Sequence, residues 1–216
     1  MVLLTIQTLV ANGGYSSVYT ATRQGNNAIF ALKVYDRTRC RQSPDMLRRA
    51  VREKHALELV AMLPHPFLVG YQCSYVDDQH VYLVMEQVGG GDLFNVLQTR
   101  GPLQAADARC HLAEVCLALG HLHSMDITYR NLKPENVLIG LDGHAKLSDL
   151  GLAYKLPGRI GSTPPPASCI SLNGTPEYTA PEVRAPRRGS PSATCLTAHF
   201  RPALVPSWPC AAPLDL

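Results

Sequence analysis

Charge of one sign is scarce in this 216-residue sequence. Lys plus Arg number 20 and Asp plus Glu 17, a formal balance of +3. That excess is too small to indicate a nucleic-acid partner or an acidic membrane surface. No cysteine pair has the C-x-x-C spacing, which argues against a zinc ribbon. The cysteine count of seven is odd, so a fully paired disulfide framework within one chain is excluded. Free thiols suit a reducing compartment, and the expected location is intracellular, cytoplasmic or nuclear. Long apolar runs are absent too. Met1 to Val10 (MVLLTIQTLV) is too short to span a bilayer and lacks the basic leader of a secretory segment, so it reads as a first β-strand. No internal repeat is evident. What is present is 46% hydrophobic and 17% charged residues, a globular composition. The length suffices for one large domain or two small lobes sharing a core.

The first 90 residues read as strands with one helix. Val2–Val10, Ser17–Thr22, Ala28–Tyr35, Leu68–Tyr75 and His80–Glu86 are β-like, with a turn at Asp77-Asp78. Asp45–Met62 carries Met46, Ala50, Glu53, Leu57 and Val60 on one helical face. A carboxylate in that stripe needs a partner, unless Glu53 lies at the stripe's edge and reaches water. From Gly91 the pattern turns helical. Asp92–Gln98 is a short helix, and Gln104–Ser124 a long one with Ala108, Leu112, Val115, Leu119 and Leu122 on one face. Ile127–Leu152 reads as loops and short strands. The expected fold class is α+β with two lobes. The Pro-rich stretch Ser162–Ala167 reads as an exposed loop. Beyond position 183 six prolines interrupt the sequence, and residues 184–216 read as an irregular tail. The domain boundaries expected are 1–88, 89–183 and 184–216.

Four motifs occur in fixed order. Ala11-Asn12-Gly13-Gly14-Tyr15-Ser16-Ser17-Val18 is a glycine-rich turn between two strands. Such a turn lets backbone N–H groups approach phosphate, although alone it reads as an ordinary hairpin. In Phe30-Ala31-Leu32-Lys33-Val34, alternation puts Phe30, Leu32 and Val34 on one face and Ala31 and Lys33 on the other. Lys33 and Glu53 are a candidate pair that would hold a cationic head near phosphates. Tyr129 to Leu138 (YRNLKPENVL) is too polar for a core strand. Leu147-Ser148-Asp149-Leu150-Gly151 follows, and then Gly174 to Glu182 (GTPEYTAPE). Asn136 and Asp149, on neighbouring loops, offer hard oxygens suited to Mg²⁺ beside phosphate. Arg48, Arg49, Arg52 and Lys54 read as a solvated basic helix face. Cys110 and Cys116 read as core thiols.

Together these motifs resemble a eukaryotic protein kinase domain over about Val2 to Val183. The strings YRNLKPEN and GTPEYTAPE are similar to the AGC group of Ser/Thr kinases, near the ribosomal-protein kinases. The resemblance implies a two-lobe kinase fold with a β-rich N-lobe, and ATP and Mg²⁺ as cofactors. It implies that Val10, Val18, Ala31 and Leu138 line the adenine pocket with Gly13 in the loop above. Met85 would be the gatekeeper, Glu86, Gln87 and Val88 the hinge, and Asp92 the ribose neighbour. Lys33, held by Glu53, would bind the α- and β-phosphates, Lys133 would touch the γ-phosphate, and Asn136 and Asp149 would hold Mg²⁺. Tyr71, Leu57, Leu150 and Tyr129 would stack as a spine linking the lobes. Ser171 matches the activation-loop position, where an upstream kinase would add a phosphate that pairs with Arg130.

Three departures from that family matter. Asn131 stands where the family carries the Asp that takes the substrate hydroxyl's proton. Losing a positioned acid/base group costs on the order of 10²–10⁴ in rate. Ala11 and Ser16 replace two of three loop glycines, and a serine held at positive φ would cost about 1 kcal/mol. The helices expected after Ala180-Pro181-Glu182 have no match, so the tail reads as a foreign or alternatively spliced end of an incomplete helical lobe. The functional reading expected is an ATP/Mg²⁺-binding kinase homologue with impaired turnover, a pseudokinase-like module. The alternatives are an active Ser/Thr kinase acting on a protein substrate and a truncated product without function.

Overall fold

The computed structural model describes residues 3–156 and 175–178. The Ser162–Ala167 loop, Ser171 and the 184–216 tail lie outside these described residues. Five antiparallel strands form the first lobe: β1 (Leu4–Asn12), β2 (Ser17–Arg23), β3 (Ile29–Asp36), β4 (Tyr71–Val76) and β5 (His80–Glu86). Their spatial order is β1-β2-β3-β5-β4. Between β3 and β4 lie a short helix α1 (Arg37–Gln42) and a long one, α2 (Pro44–Met62). The second lobe has α3 (Leu93–Arg100), α4 (Ala105–Ser124) and four short strands: β6 (Ile127–Thr128), β7 (Val137–Ile139), β8 (Ala145–Leu147) and β9 (Tyr154–Lys155). β6 pairs with β9 and β7 with β8.

Side-chain alternation on β3 sorts the first lobe's two faces. Leu32, with no exposed surface, packs with Ala21, Val84, Phe30 and Val34 on one side. Ala31 and Tyr35 belong to the larger core on the other side, which runs through α2 into the second lobe. The expected α2 stripe is correct: Met46, Ala50, Glu53, Leu57 and Val60 are all buried. Its start is set by Pro44 at the first turn and by Ser43, whose hydroxyl accepts the Met46 N–H at 3.4 Å. α3 begins at Asp92, whose carboxylate accepts the Asn95 N–H at 2.8 Å, and ends at Gly101 with φ +78°.

Some expectations shift. Leu68–Val69–Gly70 precede β4 rather than joining it; Leu68 forms an isolated parallel bridge with Leu147. α1 has no apolar periodicity in Arg37-Thr38-Arg39-Cys40-Arg41-Gln42. It forms because the Asp36 carboxylate caps the Arg39 N–H at 2.9 Å. The buried face of α4 is His111, Glu114, Val115, Ala118 and Leu122, whereas Ala108 and Leu112 are exposed. The period was right, but the face is turned because polar Glu114 has buried partners across the lobe. Cys110 and Cys116 are only half-buried, and among the described residues Cys40 on α1 is the deeply buried thiol.

Candidate functional site

The site forms where β3, α2 and the loops around β7 and β8 converge. Lys33, 7% exposed, donates from Nζ to Glu53 Oε1 at 2.6 Å and to Asp149 Oδ1 at 2.8 Å. Glu53 is 1% exposed, so it is not an edge residue reaching water. Its second oxygen accepts the Tyr35 hydroxyl, a partner the sequence reading did not supply. Two residues beyond Lys33 on the same strand face, Tyr35 is placed by strand alternation to reach the same carboxylate. Burial works against the Lys33 ammonium, but Asp149 and Glu53 outweigh it and hold its pKa well above the ordinary value.

Asp149 sits in the left-handed region, at φ 50° and ψ 74°. That conformation is uncommon for a residue with a side chain, and here it aims the carboxylate back at Lys33. Its Oδ2 accepts from Arg49 Nη2 at 3.1 Å and from Asn131 Nδ2 at 2.8 Å. Burial alone would raise the Asp149 pKa; Lys33 and Arg49 reverse that and hold it below the usual carboxylate range. Arg49 is therefore not on a solvated face. Its side chain is 21% exposed, and its guanidinium lies 4.9 Å over the Tyr15 ring. The solvated reading does hold for Arg48, whose side chain is 58% exposed. One signal was available: Arg49 precedes Glu53 by four residues, so one helical turn puts both on the same side of α2.

Asn131 is buried. Its main-chain carbonyl accepts Asn136 Nδ2 at 2.7 Å. Ser148, next to Asp149, donates its N–H to the Asn136 carbonyl at 2.9 Å and its hydroxyl at 3.1 Å. Tyr129, 2% exposed, donates to the Ser148 carbonyl at 2.5 Å. The two candidate metal-holding residues are thus tied together through Ser148. Their donor set, a carboxylate and a carboxamide oxygen, suits a hard divalent cation, and Asn136 spends an amide N–H on protein, leaving its oxygen as the acceptor to offer. Lys133 lies 3.6 Å from Glu135. A cleft of about 340 Å³ beside this cluster is lined by Tyr15, Arg48, Arg49, Arg52, Asn131 and Lys133, among others.

The remaining expected residues lie on the sheet and the inter-lobe segment. Met85 and Val88 are buried, Val18, Ala31 and Leu138 half-buried, and Val10 is 56% exposed. Glu86 bonds both lobes: Oε1 accepts from Lys146 at 2.6 Å and Oε2 from the Gly70 N–H at 3.0 Å. Gly90 N–H donates to Ile139 O at 2.9 Å, and Ile139 N–H to Gly91 O at 2.8 Å, which fixes the segment against β7. Asp92 is half-buried and caps α3. In the glycine-rich turn, Gly13 N–H bonds Ser16 O at 2.9 Å. Ser16 is not among the positive-φ residues, so the strain expected there does not arise. Leu57, Leu150 and Tyr129 share one core with Tyr71 packed against it.

A five-stranded lobe with a lysine–glutamate pair to its long helix, over a lobe carrying paired loops with Asn136 and Asp149, is the architecture of a protein kinase. The family description "Protein kinase domain" matches residues 4–194, past Val183, and the chain belongs to that family. The relatives are AGC Ser/Thr kinases. Human "Serine/threonine-protein kinase Sgk2" is 37% identical over 179 residues, covering 81% of this chain and 45% of that protein. Human "Putative serine/threonine-protein kinase PRKY" is 37% identical over 177 residues, covering 81% and 58%. Human "cAMP-dependent protein kinase catalytic subunit PRKX" is 37% identical over 179 residues, covering 81% and 45%. The chain spans about half the length of the curated relatives it matches. No helix among the described residues is long and apolar enough to cross a membrane.

Proposed function

We propose that this chain binds ATP between its lobes and transfers the γ-phosphoryl group poorly, acting as a pseudokinase-like binding module toward a protein partner. The observation that carries the reading is Lys33, buried and bridging Glu53 at 2.6 Å and Asp149 at 2.8 Å. Such an ammonium is a fixed positive charge at the cleft, and a polyphosphate is its natural counterpart. Val18, Ala31, Met85, Val88 and Leu138 supply apolar walls, and the backbone at Glu86 to Val88 supplies an edge for a planar base. Asn136 and Asp149 are the residues that would hold Mg²⁺, whose chemistry is to neutralise phosphate charge. Lys133 lines the neighbouring cleft of about 340 Å³ together with Arg49 and Asn131.

Impairment is argued from Asn131. A carboxamide has no useful affinity for a proton, so it does not take one from a substrate hydroxyl. Its Nδ2 is already given to Asp149 at 2.8 Å. One observation favours the catalytic alternative: the Lys33–Glu53 pair is closed, and phosphoryl transfer depends mainly on positioning and charge. Phosphorylation of Ser171 by an upstream kinase belongs to that alternative.

The test is thermal denaturation with and without Mg-ATP. A ligand at a hundred times its Kd stabilises by about 2.7 kcal/mol, so the native chain should melt several degrees higher. Lys33→Met, checked for a cooperative melt, should lose most of that rise; a retained rise refutes the site. Labelled ATP with a protein substrate then separates the two readings. Turnover by the native chain at about 1–100 s⁻¹, the ordinary kinase range, refutes impairment at Asn131.

A further inference from the structure

We infer that Arg49 supplies to Asp149 the positive charge that a divalent cation would otherwise supply, so that this chain binds a nucleoside triphosphate nearly as well without Mg²⁺ as with it. The inference rests on the nucleotide reading above and goes beyond it by assigning a residue and a cofactor dependence. It starts from the neighbours of one oxygen. Asp149 Oδ2 accepts from Arg49 Nη2 at 3.1 Å and from Asn131 Nδ2 at 2.8 Å, while Oδ1 accepts from Lys33 at 2.8 Å and from the Gly151 N–H at 3.4 Å. A divalent ion reaching Oδ2 must displace a guanidinium and an amide donor, since like charges about 3 Å apart repel strongly in a partly buried site.

The arginine is held, not merely nearby. Its guanidinium stacks 4.9 Å over Tyr15 on the glycine-rich turn. Its stem passes so close to Gly151 that a Cβ there would lie 2.8 Å from Nε and 3.1 Å from Cγ. A side chain at position 151 would exclude Arg49 from this path. The charges also close. Lys33 and Arg49 face Glu53 and Asp149, two cations to two carboxylates, and Asn131 adds none. An aspartate at 131 would put a third carboxylate 2.8 Å from the second, a cluster that only a further cation would balance. Asn131 and Arg49 thus act as one device, the first removing a negative charge and the second adding a positive one. The adjoining cleft carries Arg48, Arg52 and Lys133 beside Asp45. Arg48 pairs with Asp45 and Lys133 lies 3.6 Å from Glu135, so Arg52 is the one of these three cations without a carboxylate partner among the described residues.

The experiment titrates a fluorescent ATP analogue into the full chain, once in EDTA and once in excess MgCl₂, with unlabelled ATP as competitor. The native chain should show affinities within about threefold of each other, and Arg49→Gln a gain on adding Mg²⁺ of about tenfold or more, the size typical of altering a metal site's surroundings. Arg49→Lys, which keeps the cation, should stay close to native. If the native chain itself requires Mg²⁺ by about tenfold or more, the inference fails while the nucleotide reading stands. If the native chain binds the analogue in neither buffer, the nucleotide reading fails and takes this one with it. Asn131→Asp gives an arm that does not depend on Arg49→Gln folding. Its melting temperature without nucleotide should fall in EDTA and rise on adding MgCl₂, where the native chain's should not move. An Asn131→Asp melt as indifferent to Mg²⁺ as the native one overturns the inference.

Discussion

Replacing Glu114 by alanine removes a carboxylate that is 3% exposed and accepts from the Ala145 N–H at 2.8 Å and from His144 Nδ1 at 2.6 Å. Glu114 thereby ties α4 to the β7–β8 hairpin. Asn136 precedes that hairpin and Asp149 follows it. Ala145 is 1% exposed, so its N–H has no water to turn to, and an orphaned buried donor costs about 1–3 kcal/mol. His144 is 38% exposed in its side chain, and solvent screening limits its share to at most about 1 kcal/mol. His111, buried and 3.4 Å away, loses its acceptor too. The expected loss is about 3 kcal/mol, a large part of a stability of ordinary size. Urea denaturation measures it as a lower midpoint at unchanged m. The pH dependence gives a second check. Burial raises the Glu114 pKa, but hydrogen bonds from His111, His144 and the Ala145 N–H outweigh it and hold it below the ordinary value. A carboxyl lowered in this way stabilises the fold above its unfolded pKa and loses that contribution as pH falls through the folded one. The native-minus-variant difference should therefore shrink as pH falls below about 4. A loss under about 1 kcal/mol at neutrality, or a difference that does not shrink below about pH 4, refutes the reasoning.

Two further perturbations bear on the cleft. Glu53→Gln leaves Lys33 with Asp149 alone, and breaking a buried pair should cost about 3–5 kcal/mol in urea denaturation; a loss below 1 would show that Asp149 suffices. Gly90→Ala places a Cβ 2.5 Å from the Ile139 carbonyl, so the inter-lobe segment must move off β7 at a cost of about 1–3 kcal/mol. Gly14→Ala meets nothing within 4 Å at a φ that is not positive, and should change stability by less than about 1 kcal/mol in either direction. Thermal melts of these two variants side by side should separate them clearly, and equal effects would contradict the packing.

Much of this architecture was legible because single elements carry their own period. The α2 stripe from Met46 to Val60 and the β3 alternation from Phe30 to Val34 needed no knowledge of their neighbours, and both hold in the fold. α4 was read with the right length and a face only partly right: Val115, Leu119 and Leu122 face the core, Ala108 and Leu112 do not. Its apolar residues surround the helix, and the burial of His111 and Glu114 is decided by Ala145 and His144, some thirty residues later. α1 was missed for a related reason: its cause is the Asp36 cap, not periodicity. Tyr35 and Arg49 lie within reach of local arithmetic, two residues from Lys33 on a strand and four from Glu53 on a helix. What local arithmetic lacks is the partner that gives each position meaning.

Arg49 shows why that missing partner matters to function. Read alone, Asn131 is a subtraction, the loss of a carboxylate from a loop where chemistry needs one. Read with Arg49, it belongs to a balance. With Asp149 bent toward Lys33 by its left-handed backbone, Oδ2 faces α2 and the loop at 131 together. An amide there donates a hydrogen bond, and a carboxylate there would repel. The amide at 131 therefore strengthens the grip on Asp149, whatever it costs in proton affinity. Restoring aspartate at 131 should consequently not act as a simple repair. Unless a cation enters with it, the gain in proton affinity comes with repulsion of Asp149 from the position that Lys33 and Arg49 define.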